Sequence, residues 1–166
     1  GTSGSLLVED CYIKGVRWDP FNIKARFGNV TSVLNSRTAE VAFWMAMPAI
    51  PGGDVIFWTG DRPTHVPCAT QTSYGNIDGK TYAALEFNAD LPPEVTAGSF
   101  FTPESWLLDR AEFRNTTFEG NYGVPILYQE ANLLVTNCLF QNNAYGNIEL
   151  GAVSDGEGCF ARNMTI

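Results

Sequence analysis

One short pattern of apolar and polar positions recurs four times: an apolar residue, any residue, Asp or Asn, two further residues, then an apolar residue. It occurs as VEDCYI (Val8 to Ile13), FRNTTF (Phe113 to Phe118), VTNCLF (Val135 to Phe140) and ARNMTI (Ala161 to Ile166). The polar position holds Asp10, Asn115, Asn137 and Asn163. The last three units begin 22 and 26 residues apart, the length of one turn in a stack of parallel strands. The units continue alike, with a polar turn, an aromatic and a second alternating strand: KGVRWDPFNIKA, EGNYGVPILYQEA and QNNAYGNIELGAV. A helix is excluded, because the apolar positions do not follow a period of 3.6 and Gly and Asn interrupt every stretch. In such a stack, equivalent positions of successive turns meet about 4.8 Å apart. Like residues therefore stack, apolar ones inward, while the Asn side chains are expected to ladder from Asp10 through Asn163.

The repeat is broken once. Val8 and Phe113 stand 105 positions apart, where one turn needs about two dozen. The intervening segment has its own strand signals, NVTSVLN, TAEVAFWMAM, GDVIFWTG and TYAALEFN, separated by the turns AIPGGD, GNIDGK and DLPPEV. That is the grammar of a small antiparallel barrel, with Trp44 and Trp58 expected in its core. The expected fold is therefore all-β: a right-handed parallel β-helix of few coils (1–26 and 103–166), interrupted by a barrel (27–102).

Composition narrows the function. The net charge of −8 repels phosphate, so nucleic acid and anionic membrane are not expected partners. No apolar run is long enough to span a bilayer as a helix. The opening GTSGSLL reads like an added linker, which suggests a module excised from a larger exported protein, extracellular or periplasmic. The four cysteines (Cys11, Cys68, Cys138, Cys159) lack CxxC spacing and His65 is the one histidine, so no metal and no cofactor are expected. Cys11 and Cys138 fall at one ladder position with the Thr116 turn between them. That puts them about 9–10 Å apart, too far for a bridge, and they read as small buried residues. His65, within TGDRPTHVPC, reads as a solvated loop histidine.

A parallel β-helix interrupted by a small barrel resembles glycoside hydrolase family 110, the α-1,3-galactosidases. The segment Asp19-Pro20-Phe21-Asn22-Ile23-Lys24-Ala25 matches the stretch like Asp-Asp-Ala-Ile-Asn-Val-His that lies in that family's coil before the barrel. GDVIFWTGDRPTHVP and DGKTYAALEFNADLPPEV look like its insert. The resemblance implies inverting hydrolysis by two carboxyl groups about 6.5–9.5 Å apart. It also exposes departures: the family's paired aspartates are reduced to Asp19, Pro20 takes the second place, and Lys24 stands where a histidine would. Glu130 or Glu149 would have to supply the second carboxylate.

The same segment suits glycan binding without catalysis. With Phe21 and Ile23 inward, alternation turns Asn22 and Lys24 outward, beside Gln129 and Glu149 of later turns. Trp18, Tyr122 and Tyr145 then line one margin. Sugars offer an apolar face and a rim of hydroxyls, which aromatic platforms flanked by Asp, Asn, Gln and Lys complement. The alternative is that these three rings only stack on one another as a structural ladder. The leading expectation is a polysaccharide-binding module of a polysaccharide-degrading enzyme, with Trp18, Asp19, Asn22, Lys24, Tyr122, Gln129, Tyr145 and Glu149 as contacts. A catalytic fragment using Asp19 and Glu149 is the alternative. Open strand edges at both ends predict self-association or covering by further coils.

Overall fold

The computed structural model describes residues 4–43, 50, 52–59, 62–151 and 161–166. Trp44 and Cys159 lie outside the described residues. Among the described residues the chain is all-β apart from one short 3-10 turn, Glu104–Trp106. It divides into two compact units, 1–26 with 107–166, and 27–106. The return from the inserted unit thus comes at Leu107 rather than at 103, because the 3-10 turn belongs to the insert.

The first unit holds three parallel sheets. Strands β1 (Ser5–Glu9), β10 (Arg110–Arg114), β13 (Ala131–Thr136) and β16 (Arg162–Thr165) pair in that order in the first sheet. The second holds β2 (Tyr12–Lys14), β11 (Thr117–Glu119) and β14 (Leu139–Gln141). The third holds β3 (Phe21–Lys24), β12 (Ile126–Gln129) and β15 (Ile148–Leu150). The chain visits the sheets in the same order each time, and one apolar cluster draws side chains from all three.

Register explains the residue choices. Val8, Phe113 and Val135 lie side by side, as do Ile13, Phe118 and Phe140. The Phe118 and Phe140 rings stack at 4.9 Å with 5° between their planes, which matches the interstrand spacing. Asp10, Asn115 and Asn137 sit between the first and second sheets with φ of 53°, 49° and 51°. This left-handed turn, which among residues with a side chain Asn and Asp tolerate best, is why the polar position recurs.

The fourth unit departs from the expected register. Asn163 does not follow Asn137: Arg162 pairs with Ala131 and Met164 with Leu133, so β16 meets the start of β13. Asn163 Nδ2 donates to Asn132 Oδ1 at 2.9 Å, and both residues are left-handed. ARNMTI copies the apolar spacing of the other units but occupies a different corner.

The inserted unit is a closed antiparallel barrel in the order β4 (Gly28–Asn35), β5 (Thr38–Phe43), β8 (Lys80–Phe87), β7 (Arg62–Ile77), β6 (Asp54–Thr59), β9 (Phe100–Pro103). Gly28 closes it against β9, where an added Cβ would lie 2.7 Å from the rings of Phe101 and Phe43. Val41, Val55, Phe57, Leu85 and Phe101 fill the interior.

Several expectations are corrected here. From Arg62 to Cys68 the stretch TGDRPTHVPC is strand rather than loop. Pro63 and Pro67 pair across from Trp58 and Asp54, and His65 stands within the 16-residue β7. Trp58 is half-buried on the face opposite the core, and its indole Nε1 donates to Thr102 Oγ1 at 3.1 Å. Cys11 and Cys138 are free, with the buried Thr116 in the turn between them, but Cys11 is exposed and Cys138 half-buried. Both thiols lie in the short turns between the first and second sheets, where Cys138 packs against the edge of the core and Cys11 faces water.

Candidate functional site

Among the described residues, the turns between the second and third parallel sheets carry the most exposed aromatics of the first unit. Trp18 is 76% exposed, and Tyr122 and Tyr145 are each 61% exposed. The Tyr122 and Tyr145 rings meet edge to face with centroids 5.6 Å apart.

The pairing of the flanking strands fixes the order of these residues. Phe21 pairs with Ile126 and Ile126 with Ile148, offsets of 105 and 22 residues. Carried back into the turn, the same offsets put Trp18, Gly123 and Tyr145 in one row. Tyr122 falls one residue earlier, in the row of Arg17. Two observations agree: Asp19 Oδ1 accepts the Val124 amide at 2.8 Å, and a Cβ on Gly123 would lie 2.5 Å from the Trp18 carbonyl carbon. Gly123 is thus the floor between two aromatic positions, and only glycine leaves room for the Trp18 backbone.

An internal asparagine ladder holds these turns. Asn121, 1% exposed, accepts the Val16 amide on Oδ1 at 3.0 Å. Its own amide and its Nδ2 both donate to Asn143 Oδ1, each at 3.0 Å. Asn143 Nδ2 passes the ladder on to the Phe118 carbonyl and to Asn147 Oδ1. The expected ladder through Asn115 and Asn137 is weaker, a single contact of 3.4 Å. The signal was present: Asn121 and Asn143 are separated by the same 22 residues as Phe118 and Phe140.

Asp19 has a structural task, because its carboxylate holds the next turn through Val124. On the third sheet Asn22 is exposed and shares a row with Leu127 and the exposed Glu149. An apolar residue therefore separates the two polar ones. Lys24 is half-buried beside Gln129. Gln129 is the main correction: alternation points it outward, yet it is 1% exposed, and its Oε1 is buried without a hydrogen bond. It is not available to a ligand on the surface.

Glu130 is likewise unavailable as a surface carboxylate. It is 2% exposed, and its Oε2 accepts the Leu108 amide at 2.9 Å. Burial pushes its carboxyl above the ordinary value of 4.5, while the Leu108 hydrogen bond pulls the other way. A carboxyl raised by folding holds its proton longer in the folded state, so its contribution is greatest in acid and falls as pH rises. The variant Glu130→Gln keeps an acceptor for Leu108 and loses the buried charge. Its melting temperature relative to the parent is expected to improve as pH rises from the ordinary carboxylate range, about pH 4, and to level off once the raised carboxyl is ionised. A pH-independent difference would show that Glu130 does not titrate in this way.

On the second sheet, Glu119 accepts from the Tyr12 hydroxyl, from Lys14 Nζ at 3.1 Å and from Gln141 Nε2 at 3.0 Å. The Tyr12 hydrogen bond first, then Lys14 and Gln141, hold its carboxyl below the usual range. These are exposed cross-strand contacts of rows Tyr12–Thr117 and Lys14–Glu119, a surface network rather than a reactive pair.

Comparison with protein-family models and with curated protein sequences gives no match for this chain.

Proposed function

We propose that the three parallel sheets are the faces of a right-handed parallel β-helix, and that this chain is a glycan-binding module of a polysaccharide-degrading enzyme. The observation that carries the reading is the cluster Trp18, Tyr122 and Tyr145: three large rings held in water on adjacent turns of a rigid stack. Large rings kept exposed on a preorganised scaffold are suited to stacking on sugar faces at little entropic cost. Asp19 in the same turn, and Asn22, Lys24 and Glu149 on the third-sheet strands that follow it, are the side chains this reading assigns to hydrogen bonds with hydroxyls. Gln129, buried, drops out of the contact set. The resemblance to the α-1,3-galactosidase family supports an exported, polysaccharide-directed setting.

Binding is favoured over hydrolysis because the Asp19 carboxylate is engaged by the Val124 amide, and Glu130 is buried against Leu108. The polysaccharide is the partner of this module. The strand edges of β1 and β16 flank exposed Leu7 and Ile166, which supports self-association or further coils at the ends. The test is depletion of the protein by a panel of soluble and insoluble polysaccharides, with sugar release followed in parallel. Retention by at least one polysaccharide without release is the expected result. No retention by any of them overturns the reading, and release that is lost in Asp19→Asn makes the chain a hydrolase instead.

A further inference from the structure

The barrel carries a second cluster that glycan binding does not use. Val55, Phe57, Val66 and Cys68 point into the barrel core, so the alternate residues of β6 and β7, Asp54 and His65 among them, face the other side. Ile56, fully buried, pairs with His65 on one flank and with Thr102 on the other. Val55 pairs with Pro103, and extending the β6–β9 register by one residue places Glu104 directly across from Asp54. Three neighbouring segments thus deliver one donor each to the ground above Ile56. His65 Nδ1 lies 3.8 Å from Asp54 Oδ2 and 4.0 Å from Glu104 Oε2, and the three ligand atoms all lie within 4.8 Å of one another.

We propose that Asp54, His65 and Glu104 form a zinc-class divalent cation site on the barrel. Two carboxylates facing each other across an antiparallel pair repel, and a cation between them removes that cost. The imidazole decides the class: calcium and magnesium take oxygen shells, whereas nitrogen with carboxylate oxygen suits zinc and its first-row neighbours. The geometry is close to what zinc needs. Bonds of about 2.0–2.2 Å in a tetrahedron put ligand atoms roughly 3.3–3.6 Å apart, so the two contacts of His65, at 3.8 and 4.0 Å, must close by about half an ångström and the two carboxylates, within 4.8 Å of each other, by up to about an ångström more than that. The side chains have room for it, being 36% exposed for His65, 39% for Asp54 and 48% for Glu104. Three protein ligands leave the fourth position to water or to an incoming oxygen ligand. The bound ion ties β6, β7 and the 3-10 turn together.

The experiment is calorimetric titration of the full chain, free of any histidine tag, with zinc chloride near pH 7.5, beside melting curves and the visible spectrum with cobalt. His65 is the only histidine, so the imidazole contribution has one source. The expected result is one zinc per chain, a raised melting temperature, and a cobalt spectrum without a thiolate charge-transfer band. His65→Gln and Glu104→Gln are expected to weaken binding tenfold or more while melting like the metal-free parent. Absence of zinc binding by the parent overturns the proposal. So does undiminished binding by both variants, or a cobalt–thiolate band, which would move the metal to a cysteine. Should either variant melt early without metal, Asp54→Asn serves in its place under the same criteria.

Discussion

Phe113→Ala is expected to destabilise the protein by about 3–5 kcal/mol, the range for a phenylalanine truncated in a packed core. Phe113 is fully buried and stands between Val8 and Val135 on the first sheet. Its ring meets Phe21 of the third sheet edge to face at 4.9 Å and Phe118 of the second sheet at 6.3 Å. One side chain therefore bridges all three sheets, and the hole left by its removal has stacked strands on both sides that cannot collapse independently. Urea unfolding reads the loss. Leu139→Ala is the comparison, because Leu139 is 52% exposed and is expected to change stability by no more than about 0.5 kcal/mol. Equal effects from the two would contradict a shared core among the sheets.

Asn121→Ala is expected to cost about 2–4 kcal/mol, on the basis of about 1–3 kcal/mol for each buried polar group left without a partner. The substitution strands the Val16 amide and the Ile13 carbonyl, and it removes one of the two donors to Asn143. Because Asn143 is only half-buried, water can replace part of its ladder, and Asn143→Ala is expected to cost less. The ordering of the two, measured by denaturant unfolding, is the sharper test. A larger loss in Asn143→Ala would mean that the ladder is not anchored at Asn121.

The two units were not equally legible in the sequence. The stacked rows Val8–Phe113–Val135 and Ile13–Phe118–Phe140 could be read directly, because period-two alternation and a fixed repeat length both point to them. ARNMTI misled because a six-residue pattern fixes apolar spacing but not register, and the last unit enters β13 five residues earlier than the others imply. In the barrel, β7 was hidden by Pro63 and Pro67, which usually mark turns but are tolerated here in a strand with bulges near Cys68 and Ser73. Missing β7 also hid the convergence of Asp54, His65 and Glu104, three residues spread over 51 positions. At the candidate site the outward direction of Asn22 was legible from alternation. Gln129 was not, since alternation gives the direction of a side chain and says nothing of what covers it. The role of Asp19 escaped for a related reason: a carboxylate bonded to a backbone amide 105 residues away leaves no local sequence mark.

The central claim is that the exposed rings at the stacked turns bind sugar. A ring stacked on one aromatic gains about 1 kcal/mol beyond burial, and about 1.4 kcal/mol corresponds to a decade in affinity. Calorimetric titration of Trp18→Ala and Tyr145→Ala with whichever polysaccharide retains the parent chain tests this most directly. Each variant is expected to bind roughly tenfold more weakly while melting at the parent temperature, since neither ring is part of the buried core. Parent-like affinity in both variants, with unchanged melting, would contradict the account and move the sugar contacts away from these turns.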